Sequence, residues 1–448
     1  MMRKNKIELI APAGNLEKLK TALAFGADAV YAGIPDFSLR VRINDFDLAK
    51  LKEATEYCHQ QKKKIYVTTN IFAHNRHLEA LPKYIKELKK LGVDALIISD
   101  PGIISLVKKN WPEARIHLST QANCTNWSAA KFWYDQGVRR VVLGRETTLA
   151  EIKEIKRKVP KLELEYFAHG AMCMAYSGRC FLSKYFLDRS ANLGDCVQPC
   201  RWRFNASQIP NSKLQDTNND SIFISEENRP GMPLELVSEE GGSYILNSKD
   251  LCLLPYLRDL VEAGVTSFKI EGRAKSVYYQ AMVAGIYSHV THNLKLITKK
   301  EINYLYKELE TKLVHRGYTT GFLLGEKADQ NLHETHIKAE WEFCGMVVKG
   351  NAEKNNLVKI KVHNTLKVGD ELELVQPQYE VKKFVLKKLY DEKTGEAISE
   401  AHGGQDKYFL LEIKNPVGDW GVIRRRTSPS PGQDSTPFYA SPCGRGLW

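Results

Sequence analysis

Nine cysteines lie in this 448-residue chain, and their spacing is uneven. Cys173, Cys180, Cys196 and Cys200 crowd together, with six, fifteen and three residues between them, and Cys252 follows after a polar stretch. Cys58, Cys124, Cys344 and Cys443 are scattered. A chain this long without a secretory leader does not need a disulfide framework. Thiolates in such number are soft ligands that suit zinc or an iron–sulfur cluster. Structural zinc sites favour tight knuckle pairs, so the uneven spacing fits better a cluster gathered from separate loops. The competing reading is a set of buried, unligated cysteines packed as small hydrophobes.

A second group of candidates consists of polar residues that each close an apolar, β-rich run: Asn70, Asp100, Thr120 with Gln121, Arg145 with Glu146, His169, and Glu271 with Arg273. Alone, each reads as a helix cap or a solvated loop residue. Together they form a ring of polar groups that a core does not require. Arg145 and Arg273 are suited to holding a carboxylate or phosphate through the planar guanidinium fork. His169, close in sequence to Cys173, leaves a thiol–imidazole pair open. Recognised peptidase signatures are missing: there is no G-x-S-x-G and no H-E-x-x-H. His333-Glu334-Thr335-His336 has the wrong spacing to set two histidines one helical turn apart.

The elements that must carry these residues obey a repeated grammar. Strand-like runs cover Ile7–Pro12, Ala29–Gly33, Lys64–Asn70, Ala95–Asp100, Arg115–Gln121, Arg140–Arg145, Leu162–His169 and Ser267–Gly272. Amphipathic stretches such as Asn15–Phe25 and Asp47–Gln61 lie between them. Several helices end in a glycine turn that feeds a strand, as at Gly26, Gly92, Gly137 and Gly264. Eight such units predict an α/β fold, a (β/α)8 TIM-like barrel with its chemistry at the C-terminal ends of the strands. The doubly wound alternative is weakened because no G-x-G-x-x-G follows the first strand.

Seven strands precede residue 170 and the eighth waits until about 267, so a cysteine-bearing insertion separates strands 7 and 8. Within it, residues 203–243 read as a polar, loop-rich segment. The barrel domain spans 1–335. Residues 336–426 alternate like short strands over Trp341–Val348, Leu357–Val362, Glu371–Val375, Tyr379–Leu389 and Tyr408–Glu412, which predicts a small C-terminal antiparallel β-barrel. Residues 427–448, rich in Ser, Pro and Gly, read as a disordered tail.

Hydrophobic residues make up 43% of the chain, enough for a core, and the net charge is +12. That charge fits a solvated basic surface or binding to a phosphate backbone. Lys382, Lys383, Lys387 and Lys388 in the β domain are the candidate RNA-binding group. No apolar run is long enough for a membrane span and no leader precedes the first strand, so a cytoplasmic protein with no membrane partner is expected.

The residues from Glu165 to Ser183, above all Glu165-Tyr166-Phe167-Ala168-His169-Gly170-Ala171-Met172-Cys173 and Gly178-Arg179-Cys180-Phe181-Leu182-Ser183, resemble the signature of the collagenase-like peptidases, family thirty-two of the peptidases of unknown mechanism. Glu8-Leu9-Ile10-Ala11-Pro12-Ala13-Gly14 and Phe268-Lys269-Ile270-Glu271-Gly272-Arg273 are similar to that family too, and the likeness spans roughly residues 6–425. Within the family the chain is most similar to its tRNA hydroxylation branch. The resemblance implies a [4Fe–4S] cluster held by Cys173, Cys180, Cys196 and Cys252, with Cys200 a rival for the fourth place. It implies oxygen-independent formation of 5-hydroxyuridine at the wobble position of the tRNA anticodon loop, with prephenate or a similar dicarboxylate as cosubstrate. His169, Glu271, Arg145, Arg273, Asn70 and Gln121 are then the candidate catalytic residues, and the electron donor is not identified. The alternatives are a thiol- or metal-dependent collagenase-like peptidase and a non-catalytic RNA-binding protein.

Overall fold

The structure, a computed structural model, describes residues 7–39, 45–201, 221–224, 234–237, 246–325, 329–332, 336–350, 356–404, 407–414 and 416–427. Most of the polar segment 203–243, the tail from residue 428 with Cys443, and residues 333–335 of the His-Glu-Thr-His run lie outside the described residues.

Strands β1 (Glu8–Pro12), β2 (Ala29–Ala32), β3 (Lys64–Thr69), β4 (Ala95–Ile98), β5 (Ile116–Leu118), β6 (Arg140–Val142) and β7 (Glu163–Ala171) pair in parallel, in chain order. The eighth barrel strand, β11 (Val265–Ile270), pairs with β7 on one side and β1 on the other, and so closes the barrel as the sequence predicts. Helices α1 (Leu16–Ala24), α2 (Leu48–Gln60), α3 (Asn75–Leu91), α4 (Pro101–Asn110), α5 (Trp127–Asp135) and α6 (Leu149–Lys158) fill the connections. Their starts are written in the sequence: Asn15, Asp47, Asp100, Asn126 and Thr148 each accept a backbone N–H from the first turn. Asp100 therefore serves as the α4 cap rather than as part of the site. Gly92, at φ 70°, ends α3 in the left-handed conformation before β4.

The cysteine segment comes after β7 and includes the short helix α7 (Leu182–Leu187). The described part of the polar segment is an antiparallel pair, β8 (Ser221–Ile224) with β9 (Leu234–Val237), where the sequence suggested only loop. Strand β10 (Asp250–Cys252) then lies antiparallel against the end of β7, with Cys252 opposite His169. Helix α8 (Leu257–Glu262) leads to β11, and α9 (Val277–His292) and α10 (Lys299–Lys312) complete the helical layer, with β12 (Tyr318–Thr319) beside β10.

The C-terminal unit is an antiparallel sheet. Its strands are β13 (Trp341–Lys349), β14 (Leu357–Val362), β16 (Glu371–Gln376), β17 (Glu380–Val385), β18 (Leu389–Asp391), β19 (Ala397–Ile398), β21 (Tyr408–Glu412) and β22 (Val422–Arg426). They run in the order β17-β16-β22-β13-β14-β21-β18-β19, while β15 (Leu366–Lys367) and β20 (Glu400–Ala401) form a separate pair. The sheet has its own core around Cys344, Ile360, Leu374, Leu411 and Ile423. It is joined to the barrel by a buried ion cluster. Arg424 donates to Glu373 at 2.8 Å and to Glu308 of α10 at 3.0 Å, and Lys312 of α10 bridges the same two carboxylates at 2.9 and 3.1 Å. Among the described residues no helix is long and apolar enough to cross a membrane.

Candidate active site

The C-terminal ends of the barrel strands surround a cleft of about 1030 Å³, counting its solvent-filled mouth. Asn70, Thr120, Gln121, Arg145, Glu271 and Arg273 line it, and so do Cys173, Cys180, Cys196 and Cys200. The polar ring anticipated from strand ends is thus assembled, and the cysteine segment forms the opposing wall.

Ser177 and Arg179 help to hold that wall in place. The Ser177 backbone N–H and hydroxyl donate to Glu146 at 2.6 and 2.7 Å, which ties the segment to the loop after β6. The Arg179 guanidinium donates to the Gln121 carbonyl at 2.8 and 3.1 Å, which ties it to the loop after β5. Within the wall, the Leu182 N–H points at the Cys180 sulfur at 3.4 Å and the Ser183 hydroxyl at the Cys196 sulfur at 3.7 Å. Donors aimed at sulfur stabilise thiolate, the ligating form. Burial pushes the Cys180 and Cys200 thiols up, and the neighbouring sulfurs of Cys173 and Cys196 push both further. A cationic cluster among the four would reverse that pressure and deprotonate them. Among the described residues no three His, Cys, Asp or Glu side chains converge as a single-ion site. The four thiols line the same cavity, a set of soft donors of the kind an iron–sulfur cluster takes.

Cys252 is not with them. It is 3% exposed on β10, its sulfur 3.7 Å from the Tyr287 hydroxyl, and burial pushes its thiol up to about 12. The expected placement therefore needs correction: the structure puts Cys200, not Cys252, on the cleft wall with the other three. The antiparallel return of β10 along β7 turns Cys252 toward α9 and away from the cleft.

His169 needs the same correction. Between Lys269 and Ile270 the β7–β11 register shifts by one residue on β7. A bulge reverses the facing of the residues beyond it, so Phe167 lines the cleft while His169 packs among Tyr279, Tyr287 and Tyr318. Burial lowers its pKa to about 3, so the ring is a neutral core group. Among the described residues lining the cleft there is no imidazole for a cysteine–histidine pair of the peptidase kind.

The remaining candidates divide by role. Asn70 donates to the Gln121 side-chain oxygen at 3.1 Å, forming an amide pair on the cleft wall. The Arg145 guanidinium lies 3.9 Å over the Phe167 ring and has no ion-pair partner among the described residues, so its fork faces the cleft. Arg273 instead grips the chain: it donates to the Ser38 hydroxyl at 2.9 Å and the Leu39 carbonyl at 2.7 Å. Glu271 accepts from the Tyr31 hydroxyl at 3.2 Å. Sequence reasoning passed over Lys269 on the cleft floor, whose ammonium lies 2.8 Å from buried Glu165 and 4.4 Å over Tyr31. The signal was present: Ser267, Lys269 and Glu271 alternate with apolar Phe268 and Ile270, so β11 carries a polar inward face.

The lysine group of the β domain is not gathered on one face. Lys382 and Lys383 are adjacent on β17 and so point to opposite sides. Lys382 pairs with Glu380 at 3.2 Å, Lys383 with Glu373 at 3.8 Å and Lys388 with Glu412 at 3.2 Å, while Lys387 is exposed.

The same two-part division appears in comparison with known families. The model of peptidase family U32 matches residues 14–333, and that of the U32 C-terminal domain matches residues 339–424. The chain belongs to peptidase family U32. It is 41% identical over 447 residues to tRNA hydroxylation protein P of Escherichia coli (strain K12), covering 94% of this chain and 97% of that protein. It is 36% identical over 416 residues to tRNA hydroxylation protein P1 of Bacillus subtilis (strain 168), covering 91% and 93%. A protein named collagenase from Porphyromonas gingivalis (strain ATCC BAA-308 / W83) is 31% identical over 392 residues, covering 84% and 88%. In this U32 barrel, the cleft offers four soft donors on one wall and hydrogen-bonding, cationic and carboxylate groups on the other.

Proposed function

We propose that this U32 chain is a tRNA-hydroxylating enzyme that forms 5-hydroxyuridine at the wobble position without molecular oxygen, using a [4Fe–4S] cluster held by Cys173, Cys180, Cys196 and Cys200. One observation carries the reading: four thiols and a ring of polar strand-end residues meet across a single cleft. The names of the E. coli and B. subtilis relatives support tRNA as substrate.

A cluster bound by these thiols would supply one-electron chemistry. The chain's own residues do the rest. A wobble base lies in a single-stranded loop, from which it can be extruded into a pocket at modest cost. The Asn70–Gln121 amide pair offers donors and an acceptor to a base edge. Arg145 presents its fork to an anionic cosubstrate, prephenate or a similar dicarboxylate. Arg273 holds the Ser38–Leu39 turn, and Glu271 is the carboxylate positioned to exchange a proton. Phe167, Val142 and Ile97 exclude water from the floor.

The test joins metal analysis to product analysis. Wild-type, Cys200→Ser and Cys252→Ser proteins are purified anaerobically and assayed for iron and acid-labile sulfide. Each is also expressed in cells lacking their own hydroxylase, and the tRNA nucleosides are analysed by mass spectrometry. Cys200→Ser should lose both the cluster and 5-hydroxyuridine, whereas Cys252→Ser should keep both if it folds. Stoichiometric zinc without sulfide in the wild type, or an undiminished product in Cys200→Ser, would sink the proposal.

A further inference from the structure

The loop that leaves the cleft leads directly into a second concavity. Arg273 lines the cleft, and two positions later Lys275 and Ser276 line a groove of about 1010 Å³, solvent included, between the barrel and the C-terminal sheet. Trp341, Phe343 and His363 of the sheet form its far side. Their rings are ordered. Tyr278 of α9 stacks on Phe343 with centroids 5.4 Å apart and planes 12° from parallel, and His363 lies 4.5 Å beyond Phe343. The row starts at buried Tyr278 and ends at exposed His363, whose ring is tilted 34° to that of Phe343.

The charges in the groove are unequally committed. Glu342 accepts from Arg425 at 3.0 Å, and Lys312 is neutralised by Glu308 and Glu373. Lys275 makes no salt bridge within 4 Å among the described residues; Asp250 attracts its charge from farther off, Arg201 and Arg316 repel it, and its ammonium rests 5.5 Å from the Tyr279 ring centroid. It stands at the start of α9, an end that favours negative charge. An exposed ring at the end of an aromatic row, beside a lysine without a direct salt bridge, is the pairing that single-stranded nucleic acid uses, with bases on rings and phosphates on lysine.

We propose that this groove holds the RNA strand next to the nucleotide in the cleft, with a neighbouring base stacked on His363 and a backbone phosphate at Lys275. The assignment rests on the reading of the cleft as an RNA-modifying site, and it adds a place for the flanking strand. It also moves the RNA-holding role of the C-terminal unit from the β17 lysines to the junction with the barrel.

The experiment measures binding of a fluorescently labelled anticodon stem–loop with a wobble uridine to the full-length, cluster-loaded protein across a salt series. His363→Ala should weaken binding roughly five- to 150-fold, the range covered by one lost base–ring stack. His363→Phe should restore it, which a merely structural defect would not. Lys275→Ala should flatten the slope of log affinity against log salt by about 0.7, the loss of one single-strand phosphate contact. All variants should retain wild-type iron content. Wild-type affinity in both His363→Ala and Lys275→Ala overturns the groove assignment while leaving the cleft reading intact. Failure of the wild type to bind the stem–loop at any salt removes the RNA reading itself.

Discussion

His169 illustrates how far a residue's type can mislead when its facing is unknown. A histidine at a strand end, next to a cysteine cluster, carries the marks of a catalytic base, and yet three tyrosines enclose it and burial holds it neutral. Its folded pKa of about 3 lies below the ordinary 6.5. Between those values the unfolded chain binds more protons than the folded one, so stability is complete above pH 6.5 and falls as pH drops toward 3. Buried His117 is held neutral in the same sense, by burial and by Arg140, Arg115 and Lys269. Denaturant titrations between pH 4.5 and 7 should therefore show stability falling with acid. His169→Phe should reduce that slope by up to about 1.4 kcal/mol per pH unit. A variant with the wild-type slope would show that His169 does not titrate on unfolding. The polar ring and the cysteine group were legible at this scale because polarity at the end of an apolar run breaks the pattern around it. Which of Cys200 and Cys252 lines the cleft was not, because it depends on the direction in which β10 returns along β7.

The helix–glycine–strand grammar let the eight barrel strands be read with little error, because capping residues and left-handed glycines act locally. What escaped was set by pairing. The bulge on β7 leaves no mark in sequence, and β22 was missed because Val422-Ile423-Arg424-Arg425-Arg426 does not look like a central strand. Its arginines are nevertheless matched by carboxylates across the sheet and from α10. The end of β7 also depends on Gly170, which sits at φ 113° with a hypothetical Cβ only 2.3 Å from the Glu271 carbonyl. Gly170→Ala must shift that carbonyl or the strand, at a cost of about 1–3 kcal/mol for the forced conformation. Thermal unfolding should fall accordingly, and hydroxylation should fall further than stability explains, since Glu271 moves with its backbone. Unchanged melting in Gly170→Ala would show that the close approach relaxes without consequence.

At the scale of the molecule, the basic composition allows an RNA partner but carries no information on where one would sit. Net charge carries no address, and several lysines chosen from sequence are paired with glutamates. The two units are fastened instead by Arg424, fully buried between Glu308 of the barrel and Glu373 of the sheet. Breaking a buried pair strands the opposite charges, typically at about 3–5 kcal/mol. Arg424→Ala should lower the melting temperature and expose the junction to protease ahead of the barrel. Equal protease resistance in variant and wild type would show that the units stay joined without Arg424. The order of the barrel strands has a consequence in time as well. Glu163–Ala171 and Val265–Ile270 are neighbours in the finished barrel but lie more than ninety residues apart in the chain. At a synthesis rate of about 5–20 residues per second, the nascent chain waits roughly 5–20 s with both β1 and β7 unpaired along one side. Open edges of that kind invite pairing with other chains. The insertion that builds the cysteine wall thus also leaves the growing polypeptide with two open strand edges until its eighth strand emerges.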